Sequence, residues 1–353
     1  MKFEELKQLF EDYLHRDPTK SEVGIHLKKN YTDFEIEISN CPERLQLIKS
    51  KGVKKYKIAL LLSGHVRSLP ILNSLNNITK DYNIDVFVST WDNIGMKGQE
   101  TNINDNVNPD LVLSRIQQLP NLKKYIIENN KEYILKNENK KVIYFNHSSP
   151  EIFIKSQLYS INKSFNLLKE YIEETNTNYD MVIRARMDSE INKFFVTEKM
   201  INDINQNKII FVPNDNCGHD HPDNGTSCHA CDTMYYKYDL KDVHIFEHTN
   251  IICDIFAYGS IDSMEKYCSL IHHYDELNKN FEKENLSWLE NNNGKIKYQK
   301  KDNVYHILNE KHQDGHIKST FYLNCSYPER LLQKLLKDYM LVKSKNIEVK
   351  FKR

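Results

Sequence analysis

Five consecutive apolar residues, Ile58 to Leu62, lie in the stretch "KIALLLSGHVRSL" and stop at Ser63-Gly64. A strand with one wet face alternates apolar and polar side chains. A strand apolar at every position is covered on both faces, the mark of the centre of a parallel sheet. Parallel strands need crossover segments, so this run points to an α/β chain whose helices flank the sheet. "IDVFVSTW", Ile84 to Trp91, repeats the pattern and leaves room for one crossover helix between the two strands.

The helix that should cover this sheet is legible further on. Ile154, Leu158, Ile161, Phe165, Leu168 and Ile172 alternate steps of four and three, which predicts a helix over Glu151–Glu174 with an apolar stripe against the sheet. Ser148 or Ser149 can cap it, and Pro150 opens it. "YDMVIRARMDSEI", Tyr179 to Ile191, reads as the next strand. "KVIYF" and "KIIFVPNDN" are further strand candidates, and "IICDIFAYGSIDSMEKYCSLI" reads as a strand or turn running into a helix. Residues 110–138 read as mostly helical and polar, 278–303 as polar surface, and "YPERLLQKLLKDYMLV" as an amphipathic helix.

Ahead of the sheet, Phe3, Leu6, Phe10 and Tyr13 recur at helical spacing. "HRDPTKSE" breaks that helix, and Thr19 or Ser21 can cap the next. The reading is a small helical module over residues 1–50, a polar linker "KSKGVKKYK", and one α/β domain over 51–353.

Lys+Arg and Asp+Glu number 49 each, so no net field draws the chain to nucleic acid or membrane. The N-terminus "MKFEELKQLFEDY" is acidic and amphipathic, unlike a signal peptide, and no apolar run reaches membrane-spanning length. Seven cysteines without a secretory signal suggest reduced thiols and a cytoplasmic setting.

In the strand "YDMVIRARMDSEI", Met181, Ile183, Ala185 and Met187 share one face. Asp180, Val182, Arg184, Arg186 and Asp188 share the other. Two cations and a carboxylate therefore sit at the C-terminal end of a strand, where open α/β sheets bind ligands. They can meet an anionic ligand or close a salt-bridge cluster at the sheet edge. Asp188 can neutralise an arginine, or hold a metal with Glu190 nearby. The other strand ends carry polar groups too: Ser63, Gly64, His65 and Arg67 after the first, Trp91 and Asp92 after the second. Arg67 can grip a diphosphate bidentately, and Trp91 can stack on a base or simply pack.

The pieces "IALLLSGHVRSL", "DVFVSTWD", "YDMVIRARMDSEI", "CDIFAYGSIDSMEKY" and "YPERLL" resemble, in order and spacing, GT-A-type glycosyltransferases of giant viruses and of bacterial polysaccharide gene clusters. The resemblance covers roughly residues 55–353. The N-terminal "YLHRDPTKSEV…EIEISNCPE" is similar to a helical module attached to such enzymes. The resemblance implies a GT-A-like, Rossmann-related sheet and transfer of a sugar from a nucleotide-diphosphate sugar, UDP-linked above all, to a glycan or glycoprotein acceptor. It also implies a divalent metal, manganese or magnesium, on the donor diphosphate. In that family a short acidic motif holds the metal. Here "RARMD" stands in its place, with Arg186 where the first Asp of Asp-X-Asp would be, so arginines can replace part of the metal's charge.

Such a transfer needs charge stabilisation for the leaving diphosphate and, in an inverting enzyme, a carboxylate to take the acceptor's proton. Asp188 with Arg67, Arg184 and Arg186 suits the first task. Asp254, in the apolar "IICDIFAYG", is the candidate base, with Glu190 in reserve. The loop "CGHDHPDNGTSCHAC" offers Cys217, His219, His221, Cys228, His229 and Cys231. Four of them, Cys217, His219 or His221, Cys228 and Cys231, can hold a structural zinc, although the spacing matches no standard finger. His306, His312 and His316 are further candidates for a late metal ligand. Two other readings stand beside the enzyme: a non-catalytic binding or scaffold module with a zinc-stapled loop, and a sugar nucleotidyltransferase. The second would call for a Gly-rich phosphate loop, and "SGHVRSL" holds one glycine.

Overall fold

The computed structural model describes residues 1–14, 16–39, 41–43, 56–67, 69–79, 82–95, 107–136, 141–144, 147–194, 196, 198–206, 208–213, 256–291, 297–301, 304–308, 319–321, 328–344 and 347–351. The chain opens with α1 (Phe3–Leu14), α2 (Lys20–His26) and α3 (Tyr31–Ser39). Thr19 caps α2: its hydroxyl accepts from the Glu22 amide, and the Glu22 carboxylate accepts from the Thr19 amide at 2.7 Å. Arg16 ties the module together by donating to both Glu22 and Glu43. Leu6, Leu9, Phe10, Leu14, Phe34 and Ile38 form an apolar cluster drawn from this stretch alone.

The α/β part follows in chain order. It runs β1 (Lys57–Ser63), α4 (Ile71–Ile78), β2 (Asn83–Trp91), α5 (Pro109–Ile116), β3 (Leu122–Glu128) and α6 (Asn130–Lys136). A hairpin of β4 (Lys141–Tyr144) and β5 (His147–Pro150) leads into the long α7 (Glu151–Thr175). Next come β6 (Met181–Arg186), β7 (Ser189–Phe194), α8 (Glu198–Gln206), β8 (Ile209–Pro213), β9 (Phe256–Gly259), α9 (Ile261–Cys268) and α10 (Leu270–Asn291). The described part closes with β10 (Lys297–Lys301), β11 (Val304–Leu308), β12 (Ser319–Phe321), α11 (Pro328–Leu335), β13 (Met340–Ser344) and β14 (Ile347–Phe351).

Among the described residues, seven strands make the central sheet, in the order β13-β8-β9-β6-β1-β2-β3. They run parallel except β9, which is antiparallel to both neighbours. The continuous apolar run of β1 sits at the centre and is covered on both sides, as its composition requires. One face buries Ile58, Leu60, Leu62, Val86 and Ile183 under α4, α5 and α8. The other buries Ala59, Leu61, Phe87 and Val182 under α7, α9 and α11. The stripe of α7 supplies Leu158, Ile161, Phe165 and Leu168 to that second face, which is the packing its four-three spacing predicted.

Two expectations are corrected. Residues 110–138 are not mostly helical, because β3 lies within them as the edge strand of the sheet. Its residues alternate between half-buried and exposed at the start, with Lys123 and Tyr125 exposed, so it lacks the continuous apolar signature of β1 and β2. The C-terminal stretch is helical only over α11. Its apolar periodicity, Leu331, Leu332 and Leu336, then gives way to the apolar triplet Met340–Val342, which pairs in parallel with β8 as part of β13. The expected polar surface of 278–303 is divided between α10 and β10, which pairs with β11 in a small antiparallel sheet. Among the described residues, no helix is long and apolar enough to cross a membrane.

Candidate functional site

The chain passes from β1 outward to β2 and β3, then returns to the opposite side of β1 as β6. The order therefore reverses between β1 and β6: the chain proceeds from β1 to β2 on one side and from β6 towards β8 on the other, while Val66 and Ile71 after β1 and Met187 and Ile191 after β6 enter the same buried layer. Open α/β sheets bind ligands at the C-terminal ends of strands where the order reverses.

The loop leaving β1 is built rigidly. Ser63 is buried and accepts from Arg184 Nη2 at 3.4 Å. Gly64 takes φ +102°, a conformation that strains any side chain. Its amide donates to the Ser89 carbonyl (3.2 Å) and to Ser160 Oγ (3.1 Å), and its carbonyl accepts from Thr90 Oγ1 (2.8 Å). Thus β1, β2 and α7 are sewn together at this point. Arg67 and Leu69 follow with φ +43° and +47°, left-handed values uncommon for such residues. Strain of this kind persists only where surroundings over-determine it, and it gathers at functional sites. Here the Arg67 amide donates to the Ile94 carbonyl at 2.9 Å, and the Arg115 guanidinium donates to the Arg67 carbonyl.

From the end of β6 comes the partner of that loop. Asp188 is 3% exposed and is gripped by two arginines. Arg67 Nη1 donates to its Oδ2 at 2.7 Å. Arg186 Nε donates to Oδ1 at 2.9 Å and Arg186 Nη2 to Oδ2 at 2.7 Å. The two arginine side chains stay about a quarter exposed, at 29% and 26%. Two guanidinium groups face one carboxylate, so the three side chains together carry one net positive charge at the C-terminal edge of the sheet. That arrangement suits an anion.

His65 lies beside it, packed on Gly95. A Cβ added at Gly95 would stand 2.6 Å from His65 Cβ, and Gly95 holds φ +73°. The ring Nδ1 is 3.4 Å from the Asn93 carbonyl oxygen. Burial pushes the imidazole down to about 4, and the nearby Arg67 and Arg186 add to the fall, so His65 is neutral at physiological pH.

Other expected site residues sit elsewhere. Arg184 is fully buried within the sheet-and-helix layer, opposite Leu61 and Ala257, and not at the rim. It lies close enough to Cys268 to oppose the burial that pushes that thiol up to about 12. Trp91 is 2% exposed and packs among the chain's own rings, 5.2 Å from Tyr133 and 6.1 Å from Tyr159. Asp92 accepts from the Asn130 amide at the start of α6. Glu190 lies on the β7–β14 ribbon, opposite Lys350. Asp254, Cys217, His219, His221, Cys228, His229, Cys231, His312 and His316 lie outside the described residues, and His306 falls in β11. The end of β8 and the start of β9 both lie on the C-terminal edge that carries the arginine cluster.

Arg115 and Ser160 had no sequence signal. Arg115 sits in the last turn of an amphipathic helix and Ser160 inside the α7 stripe, each indistinguishable from a surface or small core residue until the layers meet. A comparison with known protein families finds no matching family model, and no curated protein matches the chain.

Proposed function

We propose that the protein is a nucleotide-sugar-dependent glycosyltransferase with a GT-A-like sheet, binding the donor diphosphate between the ends of β1 and β6. The observation that carries this reading is the Arg67–Asp188–Arg186 cluster at the strand-order reversal, a rigid, positively biased rim beside a strained loop. In the reaction the acceptor hydroxyl oxygen bonds to the anomeric carbon. The bond from that carbon to the diphosphate oxygen breaks, and the leaving diphosphate takes the electron pair. The acceptor's proton passes to a carboxylate, the role proposed for Asp254. Arg67 and Arg186 stabilise the charge that grows on the leaving group, and fixed cations do this best because they need no reorganisation.

A melting-temperature screen of the full chain against UDP-, GDP- and other nucleotide sugars tests the reading, since a ligand that binds only the folded state raises the midpoint. One nucleotide sugar should shift it, and product nucleotide should appear when an acceptor glycan is added. If none shifts it and no nucleotide is released, the reading fails.

A further inference from the structure

The metal that the family resemblance implies does not fit the described residues at this edge. A divalent cation such as magnesium or manganese binds through carboxylate lone pairs and favours oxygen ligands. Both oxygens of Asp188 already accept charge-assisted hydrogen bonds: Oδ1 from Arg186, Oδ2 from Arg186 and Arg67. A cation on Asp188 would have to displace these donors while standing next to two guanidinium charges. The carboxylate is 3% exposed, so solvent does little to screen that repulsion. The same geometry does for an anion what a metal would otherwise do. It holds two planar cations, both partly exposed, on one carboxylate at the sheet's C-terminal edge, and guanidinium groups match phosphate oxygens in pairs.

We infer that this edge binds a diphosphate without a divalent metal, with Arg67 and Arg186 as the countercharge and Asp188 as the residue that positions them. The inference rests on the reading of this edge as a diphosphate site. Asp188 acts through the arginines: it fixes Arg186 by a two-point contact and draws Arg67 across from the neighbouring strand end. The left-handed backbone at Arg67, locked by Arg115 and by the Ile94 carbonyl, aims that side chain before any ligand arrives.

The test is calorimetric titration of the full chain with UDP and, separately, with inorganic diphosphate, in EDTA and again in manganese. Wild type is compared with Arg67→Gln, Arg186→Gln, Arg186→Lys and Asp188→Asn, each first shown to melt cooperatively. Wild-type affinities should agree between the two buffers within about twofold. Each Gln variant should weaken binding at least about tenfold in both buffers, with Arg186→Lys, which keeps the charge but loses the fork, falling between. Asp188→Asn should also weaken binding in both buffers, which a purely structural residue in a folded variant would not do. If Asp188→Asn does not fold, the arginine variants and the wild-type buffer comparison decide alone. Binding that appears only with manganese and vanishes in Asp188→Asn overturns the inference. Binding of inorganic diphosphate without any nucleotide upholds the metal-free site and removes the nucleotide-sugar reading. Binding of neither probe in either buffer overturns both.

Discussion

His65 is a neutral imidazole held against a glycine in a crowded loop, and that has a measurable pH signature. Its folded value is depressed from the ordinary 6.5 to about 4, so between those limits the unfolded chain binds a proton that the folded chain does not. Stability should therefore fall as pH drops from 6.5 towards 4 and level off below, by at most about 3 kcal/mol from this residue. Urea unfolding of wild type and of His65→Gln across this range isolates the contribution; parallel curves would refute it. Gly95 belongs to the same lock. Gly95→Ala combines a left-handed backbone with a 2.6 Å approach to His65, and it should cost about 1–3 kcal/mol, read as a lower denaturant midpoint. An unchanged midpoint would mean that the loop gives way more readily than its hydrogen bonds imply.

The long helix α7 covers much of one face of the sheet. Phe165, 1% exposed, packs in the buried layer with Leu158, Ile161 and Leu168 of the same stripe, whereas Phe153 on the same helix is 46% exposed. Phe165→Ala should destabilise the protein by about 3–5 kcal/mol through the lost transfer energy and the cavity left behind. Phe153→Ala should stay within about 0.5 kcal/mol, as exposed substitutions do. Equal effects from the two, measured by chemical unfolding, would contradict this placement of the helix. The edge strand β3 makes the complementary point. It alternates between half-buried and exposed positions at its start, and its Lys124 reaches across to Glu170 and Glu174 of α7. An edge strand held in this way reads as polar helix in a linear scan because neither of its faces is fully dry.

On the larger scale, the described residues of the first helices and of the sheet form separate apolar clusters. Arg67, Arg186 and Asp188 come from the sheet part. Removing residues 1–50 should therefore leave nucleotide affinity within about twofold, the scatter expected for independent sites. Titration of a soluble chain beginning at residue 51 measures it, and a loss of affinity in a folded truncation would place part of the site in the helical module.

The sequence alone determined what depends on local pattern. The dry runs of β1 and β2 announced a parallel sheet, the four-three stripe of α7 announced its cover, and Thr19 marked one of two possible starts for α2. It also placed Ser63–Arg67 and Arg184–Asp188 at strand ends, because strand polarity and side-chain alternation are local properties. Only the tertiary structure decided which of those polar residues meet. Arg67 and Asp188 are 121 positions apart and touch because β6 returns beside β1. Arg184 and Trp91 had the same local credentials, yet α7 and its neighbours cover them. Burial is set by what packs on top, and no spacing within a strand carries that information.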